Sequence, residues 1–143
     1  MLLEKIADYA IREQSSPLPA EVVHHAKRAV IDWYAALLPG SVVTPATLLE
    51  QALAEDLDRG RARLARGRQA TVRAAALING AASHSVEFDD IYRDAGYHPG
   101  SPVISAALAA AQHAGASGER FLRAVIVGYE TSTRIGEAVM PSH

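Results

Sequence analysis

The sequence predicts an all-α fold of about six helices. Apolar side chains recur every three or four residues through most of the chain, which is the period of an amphipathic helix. Proline, glycine and serine residues divide this pattern into separate runs. No alternating apolar and polar segment of useful length is apparent, so no β-sheet is expected. With 143 residues, the chain has the size of one ordinary domain with one core.

The first three predicted helices are separated by proline-containing breaks. The first run is MLLEKIADYAIRE, which Ser15–Pro17 interrupts. Pro19 suits a first helical position, and the run AEVVHHAKRAVIDWYAALL follows it as far as Pro39–Gly40. Thr44–Pro45 opens a third run, TLLEQALAEDLDR. Gly60 is a suitable residue just beyond its end.

The last three predicted helices are rich in small side chains, which permit close packing of one helix on another. The segment RARLARGRQA precedes them and has no clear period. Its arginines could hold an anionic ligand, but a solvated surface is the better interpretation. We expect a fourth helix over about Ala70 to Val86 and a fifth over PVISAALAAAQHA. The sixth, ERFLRAVIVGYETSTRIGEAV, is expected to end near Pro141.

The composition excludes several classes of protein. The formal net charge is −2, so the charge balance predicts neither nucleic-acid nor membrane binding. The chain has no cysteine, which excludes a thiol nucleophile and thiolate metal ligands. Acidic residues occur at once in the N-terminal segment, unlike a signal peptide. No apolar run reaches the roughly 20 residues needed to cross a bilayer. A soluble, cytoplasmic protein is expected.

The segment EFDDIYRDAGYHPGSP, residues 87–102, contains the candidate chemistry. His98 precedes Pro99–Gly100 and a predicted helix start at Ser101. Histidine is the usual residue for proton transfer near neutral pH. Unpaired backbone N–H groups collect at a helix start, where they favour an anionic group. From the residues alone, His98 either moves protons beside a carboxylate or phosphate held at this helix start, or is a loop histidine that caps a helix or fills a gap.

The two adjacent aspartates of this segment allow two interpretations. In the functional one, either Asp89 or Asp90 orients a proton-transfer residue and the other binds the substrate or the backbone. In the structural one, they cap helix ends, which aspartate does well. Asp94 resembles a turn residue, because Ala95 and Gly96 follow it.

A magnesium site is the competing interpretation of the same acids. DDIYRD resembles the aspartate-rich sites of all-α enzymes that act on diphosphates, and hard oxygen ligands suit magnesium. Those sites use two facing clusters, and the sequence contains no second cluster of this form. Arg93 inside the motif also disfavours a cation. We therefore expect no metal site.

Several blocks of the sequence resemble the N-terminal helical domain of the MmgE/PrpD family. They are LPAEVVHHAKRAVIDWYAALLPG, the NGAASHSVEFDD block, the HPGSPV block and GASGERFLRAVIVGYE. They occur in the family's order and span nearly the whole chain. Each block alone is modest, but the four together are specific. The family includes 2-methylcitrate dehydratase, cis-aconitate decarboxylase and iminodisuccinate epimerase.

The resemblance implies a function and a set of site residues. It implies an all-α main domain, a smaller lid domain and a homodimer that acts on small di- or tricarboxylates by acid–base chemistry without a cofactor. His98 matches the family's active-site histidine, and Asp89 and Asp90 match its FDD pair. Glu87 lies where many members have an aspartate that faces the active site, so it is expected to bind the substrate. Arg93 or Tyr97 could meet a substrate carboxylate. With this resemblance, we expect His98 to move a proton at the substrate and the N–H groups of Ser101–Val103, with an arginine, to take a carboxylate.

Three departures and the length of the chain qualify this resemblance. Ile91 occupies a position where decarboxylase-like members often have a hydroxyl residue, Glu87 replaces an aspartate, and the loop through residues 93–96 is slightly longer. These departures leave the substrate and the type of reaction open. Since family members are much longer, residues 1–143 are expected to be the N-terminal part of the helical domain, inactive alone. The alternatives are an inactive dimerisation or partner module and, weakly, the magnesium enzyme.

Overall fold

Within residues 1–140, the part of the chain that the structure describes, there are six α-helices and one small β-hairpin. The structure is a computed structural model, and it confirms the mostly α-helical class predicted from the apolar period. The elements are α1 (Leu2–Arg12), α2 (Ala20–Gly40), α3 (Ala46–Ala52), β1 (Leu57–Arg63), β2 (Gln69–Ala70), α4 (Val72–His84), α5 (Gly100–Ala114) and α6 (Gly118–Val139).

The centre of the fold is α4, which packs against both α5 and α2. Small side chains make this close packing possible: Ala74, Ala75 and Ala82 of α4 are almost fully buried. The approach is tightest at Gly40, where an added Cβ would overlap the backbone oxygen of Ala82. Close packing of helices at small residues therefore fixes the position of α4, and its C-terminal end leads directly into the segment with the candidate chemistry.

Large apolar side chains from α2, α4, α5 and α6 complete the core. The largest that are fully buried are Trp33, Leu37, Ile78, Ile104 and Val125. The indole N–H of Trp33 donates a hydrogen bond to Ser105 Oγ at 3.1 Å. A buried donor of this kind needs a partner, because leaving it unpaired costs the free energy of its desolvation. This bond joins α2 to α5.

The β-hairpin contradicts the expectation that the chain has no strand. The predicted third helix continues to Arg59, whereas α3 ends at Ala52 and a 3₁₀ turn, Ala54–Asp56, leads into β1. The physical reason lies in the backbone at Asp58 and Gly60, which both have positive φ angles that a helix does not allow. Most exposed positions of β1 carry charged side chains, so the sequence shows no clear apolar alternation there.

The arginine-rich segment lies on this hairpin, and two of its arginines form ion pairs, as does Arg73 at the start of α4. Arg68 makes two hydrogen bonds to Asp58, at 3.0 and 2.6 Å. Arg73 pairs with Asp56 at 2.5 Å and Arg66 with Glu50 at 3.3 Å. All three side chains are substantially exposed, as expected for a solvated surface.

The other predicted boundaries differ from the observed ones by a few residues. Pro39 lies inside the last turn of α2 rather than after it. The fourth helix is shorter than expected, since α4 starts at Val72 and ends at His84. The fifth starts earlier, at Gly100. The predicted end near Pro141 lies outside the described residues. None of the helices described is both long and apolar enough to span a membrane.

Candidate active site

Asp89 lies at the centre of the candidate site and contacts two histidines. Its side chain is only 1% exposed. Nδ1 of His84 lies 3.1 Å from each of its carboxylate oxygens, and Nδ1 of His98 lies 3.4 Å from Oδ2. The two imidazole rings meet edge to face, with their centroids 4.8 Å apart. Two histidines from different parts of the chain therefore share one buried carboxylate.

The fold brings these three residues together by ending one helix and starting another at the same place. His84 is the last residue of α4, and one residue, Pro99, separates His98 from the start of α5. The loop between them turns back on itself through two backbone hydrogen bonds that join Tyr92 and Tyr97. This turn returns the chain to α4 and positions His98 beside Asp89. The structure thus brings two of the predicted site residues, Asp89 and His98, into contact.

The two histidines differ in their contacts with Asp89. A carboxylate can only accept hydrogen bonds, so the contact with His84 places a hydrogen on its Nδ1. Nδ1 of His98 is buried and lacks a hydrogen bond from any of residues 1–140, although Asp89 is 3.4 Å away. The contact has the distance of an ion pair without the geometry of a hydrogen bond. A small rotation of the His98 ring would satisfy both groups.

Asp90 is directed away from the histidines and has a different set of partners. Its Oδ1 accepts a hydrogen bond from the backbone N–H of Gly100 at 3.0 Å. Its Oδ2 accepts one from the hydroxyl of Tyr129 at 2.9 Å. Burial raises the pKa of Asp90, and these two hydrogen bonds oppose the rise. The structure thus places Asp89 against the histidines and Asp90 against the backbone at the start of α5.

The four predicted substrate-binding residues occupy unequal positions. Tyr97 and Ser101 line a groove together with the two histidines. The Ser101 hydroxyl is occupied by a hydrogen bond to the backbone oxygen of Gly80 at 2.6 Å, so it joins α5 to α4. Glu87 is exposed, with one oxygen 3.9 Å from Nε2 of His84. Arg93 is exposed on a 3₁₀ turn, Arg93–Ala95, that packs against α6. The groove lining within the described chain does not include it.

The start of α5 offers fewer free N–H groups than the sequence suggests. Gly100 donates to Asp90, and Val103 donates to the backbone oxygen of Pro99 at 3.1 Å. Pro102 has no N–H. The expectation that the N–H groups of Ser101–Val103 receive a carboxylate is therefore wrong for Val103, because the first turn of the helix already uses it.

An open groove of about 540 Å³ lies beside the histidines. Its walls come from the C-terminal half of α4, the turn at Gly96–Tyr97 and the first turn of α5. His84 and His98 are 44% and 30% exposed, so both rings are accessible from this side. The site is thus a groove with two accessible imidazoles, and a buried carboxylate lies behind them.

The aspartates do not form the acidic cluster that the magnesium interpretation requires. Asp89 and Asp90 have separate partners, and Asp94 lies on the exposed 3₁₀ turn. In the described part of the chain, the one group of three ligand-type side chains within reach of a single ion is His84, Asp89 and His98. It contains neither Asp90 nor Asp94.

His84 is the site residue that the sequence analysis did not single out. Its position was available in the sequence as a histidine in the last turn of a predicted helix, five residues before Asp89. A helix end followed by a short loop keeps such residues close in space. The sequence favours His98 as the candidate, because the proline and the glycine that follow it mark the start of a new element.

Fold and site together define a mostly α-helical domain that presents two histidines and a buried carboxylate to a groove. The chain belongs to the MmgE/PrpD family, whose N-terminal domain matches residues 4–143.

Curated relatives agree with this assignment. A cis-aconitate decarboxylase-like protein, oryM, of Aspergillus oryzae is 30% identical over 94% of this chain and 30% of its own length. The cis-aconitate decarboxylase of Aspergillus terreus is 28% identical over 96% of this chain and 29% of its own length. The chain therefore spans less than a third of the length of these relatives. No solved structure matches it.

Proposed function

We propose that residues 1–143 form one wall of a lyase or epimerase active site that acts on a small di- or tricarboxylate by acid–base chemistry. The observation that carries the proposal is the contact of buried Asp89 with His84 and His98 beside an open groove. Family membership and the decarboxylases among the relatives support this class of reaction. Because the chain covers about 30% of those relatives, we propose that other parts of a longer polypeptide complete the site.

In the proposed mechanism His98 transfers the proton at the substrate. With Nδ1 directed to Asp89, Nε2 is the nitrogen left to face a molecule in the groove. Asp89 holds the ring and stabilises it when it becomes protonated, as an oriented carboxylate does for a catalytic histidine. His84 fixes the carboxylate from the other side through its own Nδ1 hydrogen bond.

Each candidate reaction includes a proton transfer that His98 could perform. In a dehydration, His98 takes the proton from the carbon next to a carboxylate, and the electron pair of that C–H bond forms the new double bond. The hydroxyl group on the neighbouring carbon leaves as hydroxide and becomes water with a proton from solvent. In a decarboxylation, carbon dioxide leaves with its bonding electrons left on carbon, and His98 returns a proton there. In an epimerisation, His98 removes the proton on one face, and an acid on the opposite face, from solvent or from the rest of the polypeptide, returns one to the carbon. None of these steps requires a redox cofactor.

The test is turnover of cis-aconitate and of 2-methylcitrate by the complete polypeptide that carries this domain, with and without His98→Gln. We expect the substitution to lower kcat roughly 10²- to 10⁴-fold, which is the usual contribution of a general acid or base. His113→Gln is the matched control, since His113 is an exposed histidine at the far end of α5. Normal turnover by His98→Gln on the substrate that the enzyme uses would remove the proposed role.

A helical pairing module is the second candidate function, and exposed apolar side chains favour it. Ile31, Tyr34 and Leu38 of α2 are 68%, 39% and 54% exposed. Their spacing of three and four residues places them on one face. We propose that this face is covered by a second copy, in accordance with the homodimer expected from the family resemblance. The measurement is the molar mass in solution by light scattering. A monomeric mass for the unmodified chain that Ile31→Glu leaves unchanged would contradict pairing through this face.

A further inference from the structure

We propose that His84, Asp89 and His98 form a binding site for one divalent transition-metal ion of the zinc type. The site departs from the metal-free expectation drawn from the sequence. It rests on three ligand atoms, one from each residue, that all lie within 4.8 Å of one another. Two imidazoles and one carboxylate are a donor set that suits zinc and its neighbours and is poorly suited to magnesium.

The distances between the donors approach those of a coordinated ion. Zinc lies about 2.0–2.2 Å from nitrogen and oxygen ligands, so tetrahedral donors are separated by about 3.4 Å. Nδ1 of His84 and Nδ1 of His98 lie 3.1 and 3.4 Å from Oδ2 of Asp89. A metal ion would take the place of the hydrogen between His84 and Asp89. The three donors together lie within 4.8 Å of one another, so the rings must turn to bring them all to this spacing. The exposed side chain of His84 leaves room for that rotation.

Two further features of the site favour a metal ion. Nδ1 of His98 is a buried nitrogen with no hydrogen-bond partner among residues 1–140, and a metal ion would satisfy it. The carboxylate of Glu87 lies 3.9 Å from Nε2 of His84, the position where a carboxylate commonly supports a metal-bound histidine. The groove beside the two rings gives an ion a route from solvent to the site.

Metal binding and proton transfer at this site exclude each other. An ion on Nδ1 of His98 and on Asp89 would remove the carboxylate that orients the ring and would oppose its protonation by like charge. The site would therefore inhibit turnover when occupied. This consequence rests on the proposed function, whereas the binding itself rests only on the three donors.

The test is a calorimetric titration of the full chain with zinc chloride, repeated with His84→Ala and His98→Ala. We expect one ion per chain for the unmodified protein, and at least about tenfold weaker binding in each variant, since a ligand is lost. His113→Ala is the control and should leave the affinity unchanged. Magnesium chloride should not compete. Circular dichroism of each variant verifies that it is folded. If His98→Ala does not fold, the result for His84→Ala decides the test.

The outcomes separate the two proposals. The absence of a zinc isotherm, or equal zinc affinity in the unmodified chain and in His84→Ala, would overturn the metal site. If His98 is still needed for turnover in that case, the proposed function stands. Conversely, zinc that binds through these residues and leaves turnover unchanged would support the metal site and contradict the catalytic role of His98.

Discussion

Tyr129 donates a hydrogen bond from its hydroxyl to Oδ2 of Asp90 at 2.9 Å, and this bond joins α6 to the loop that carries the candidate site. Asp90 also accepts the N–H of Gly100, so one carboxylate connects α6 with the first turn of α5. Burial raises the pKa of the Tyr129 hydroxyl, which keeps it a donor. The neighbouring Asp89 is directed to the histidines instead. The two adjacent aspartates thus have separate partners: Asp90 connects two helices, and Asp89 contacts the two histidines.

Replacing Tyr129 with phenylalanine should destabilise the fold. The substitution removes the hydroxyl and leaves one oxygen of a partly buried carboxylate without its donor. Such a loss costs about 1–3 kcal/mol in the free energy of unfolding. Tyr34→Phe is the control, because that ring packs edge to face on Trp33 and is 39% exposed. Urea denaturation measures both. Equal stability of Tyr129→Phe and the unmodified chain would show that the bond is not maintained.

A second prediction concerns the contact between α2 and α4. Gly40→Ala should be strongly destabilising, because the added methyl group overlaps the backbone oxygen of Ala82 and forces the two helices apart. Overpacking of this kind costs about 1–3 kcal/mol, and here the clashing atom belongs to the backbone and cannot rotate away. Gly118→Ala is the matched control, since a Cβ there meets nothing within 4 Å. A thermal midpoint equal to that of Gly118→Ala would contradict the prediction.

The helical part of this fold could be predicted from the sequence because each helix carries its own apolar period. The hairpin could not, because its two strands bury only a few residues, among them Leu57, Ala62 and Ala70, between charged ones. Its shape depends on contacts across the turn and on positive φ angles at Asp58 and Gly60. An aspartate with a positive φ angle is uncommon and leaves no clear mark in the sequence.

The sequence could predict those residues of the candidate site that lie in one segment with a recognisable motif. His98 has its own marker in Pro99–Gly100, and Asp89 lies in the same segment. Asp89 and Asp90 have different partners partly because Asp90 binds Tyr129, which lies 39 residues further along the chain in α6. No local pattern reports such a contact. The role of His84 depends likewise on the return of the loop to the end of α4.

Asp56 provides a prediction about pH. Hydrogen bonds from Thr71 and Arg73, at 3.0 and 2.5 Å, lower the pKa of this carboxyl group. A carboxyl group whose pKa is lower in the folded state stabilises the fold above its unfolded pKa. That contribution is lost as the pH falls through the folded pKa. The stability advantage of the unmodified chain over Asp56→Asn should therefore be complete at neutral pH and should shrink below about pH 4. Urea denaturation at several pH values measures it, and a constant difference would contradict the contact.

His84 can be tested by two substitutions that separate its hydrogen bond from its ring nitrogen. In the proposed mechanism it is a positioning residue, which donates to Asp89 while His98 transfers the proton. The amide of His84→Gln can still donate to Asp89, but an amide is a poor zinc ligand. His84→Leu retains bulk and loses both functions. We expect His84→Gln to keep most of kcat, and His84→Leu to lose about tenfold or more with little change in KM, as for a residue that supports a catalytic group. Both variants should lose zinc binding. Full turnover by His84→Leu would show that Asp89 needs no support from His84, and zinc affinity retained by His84→Gln would show that the ion binds elsewhere.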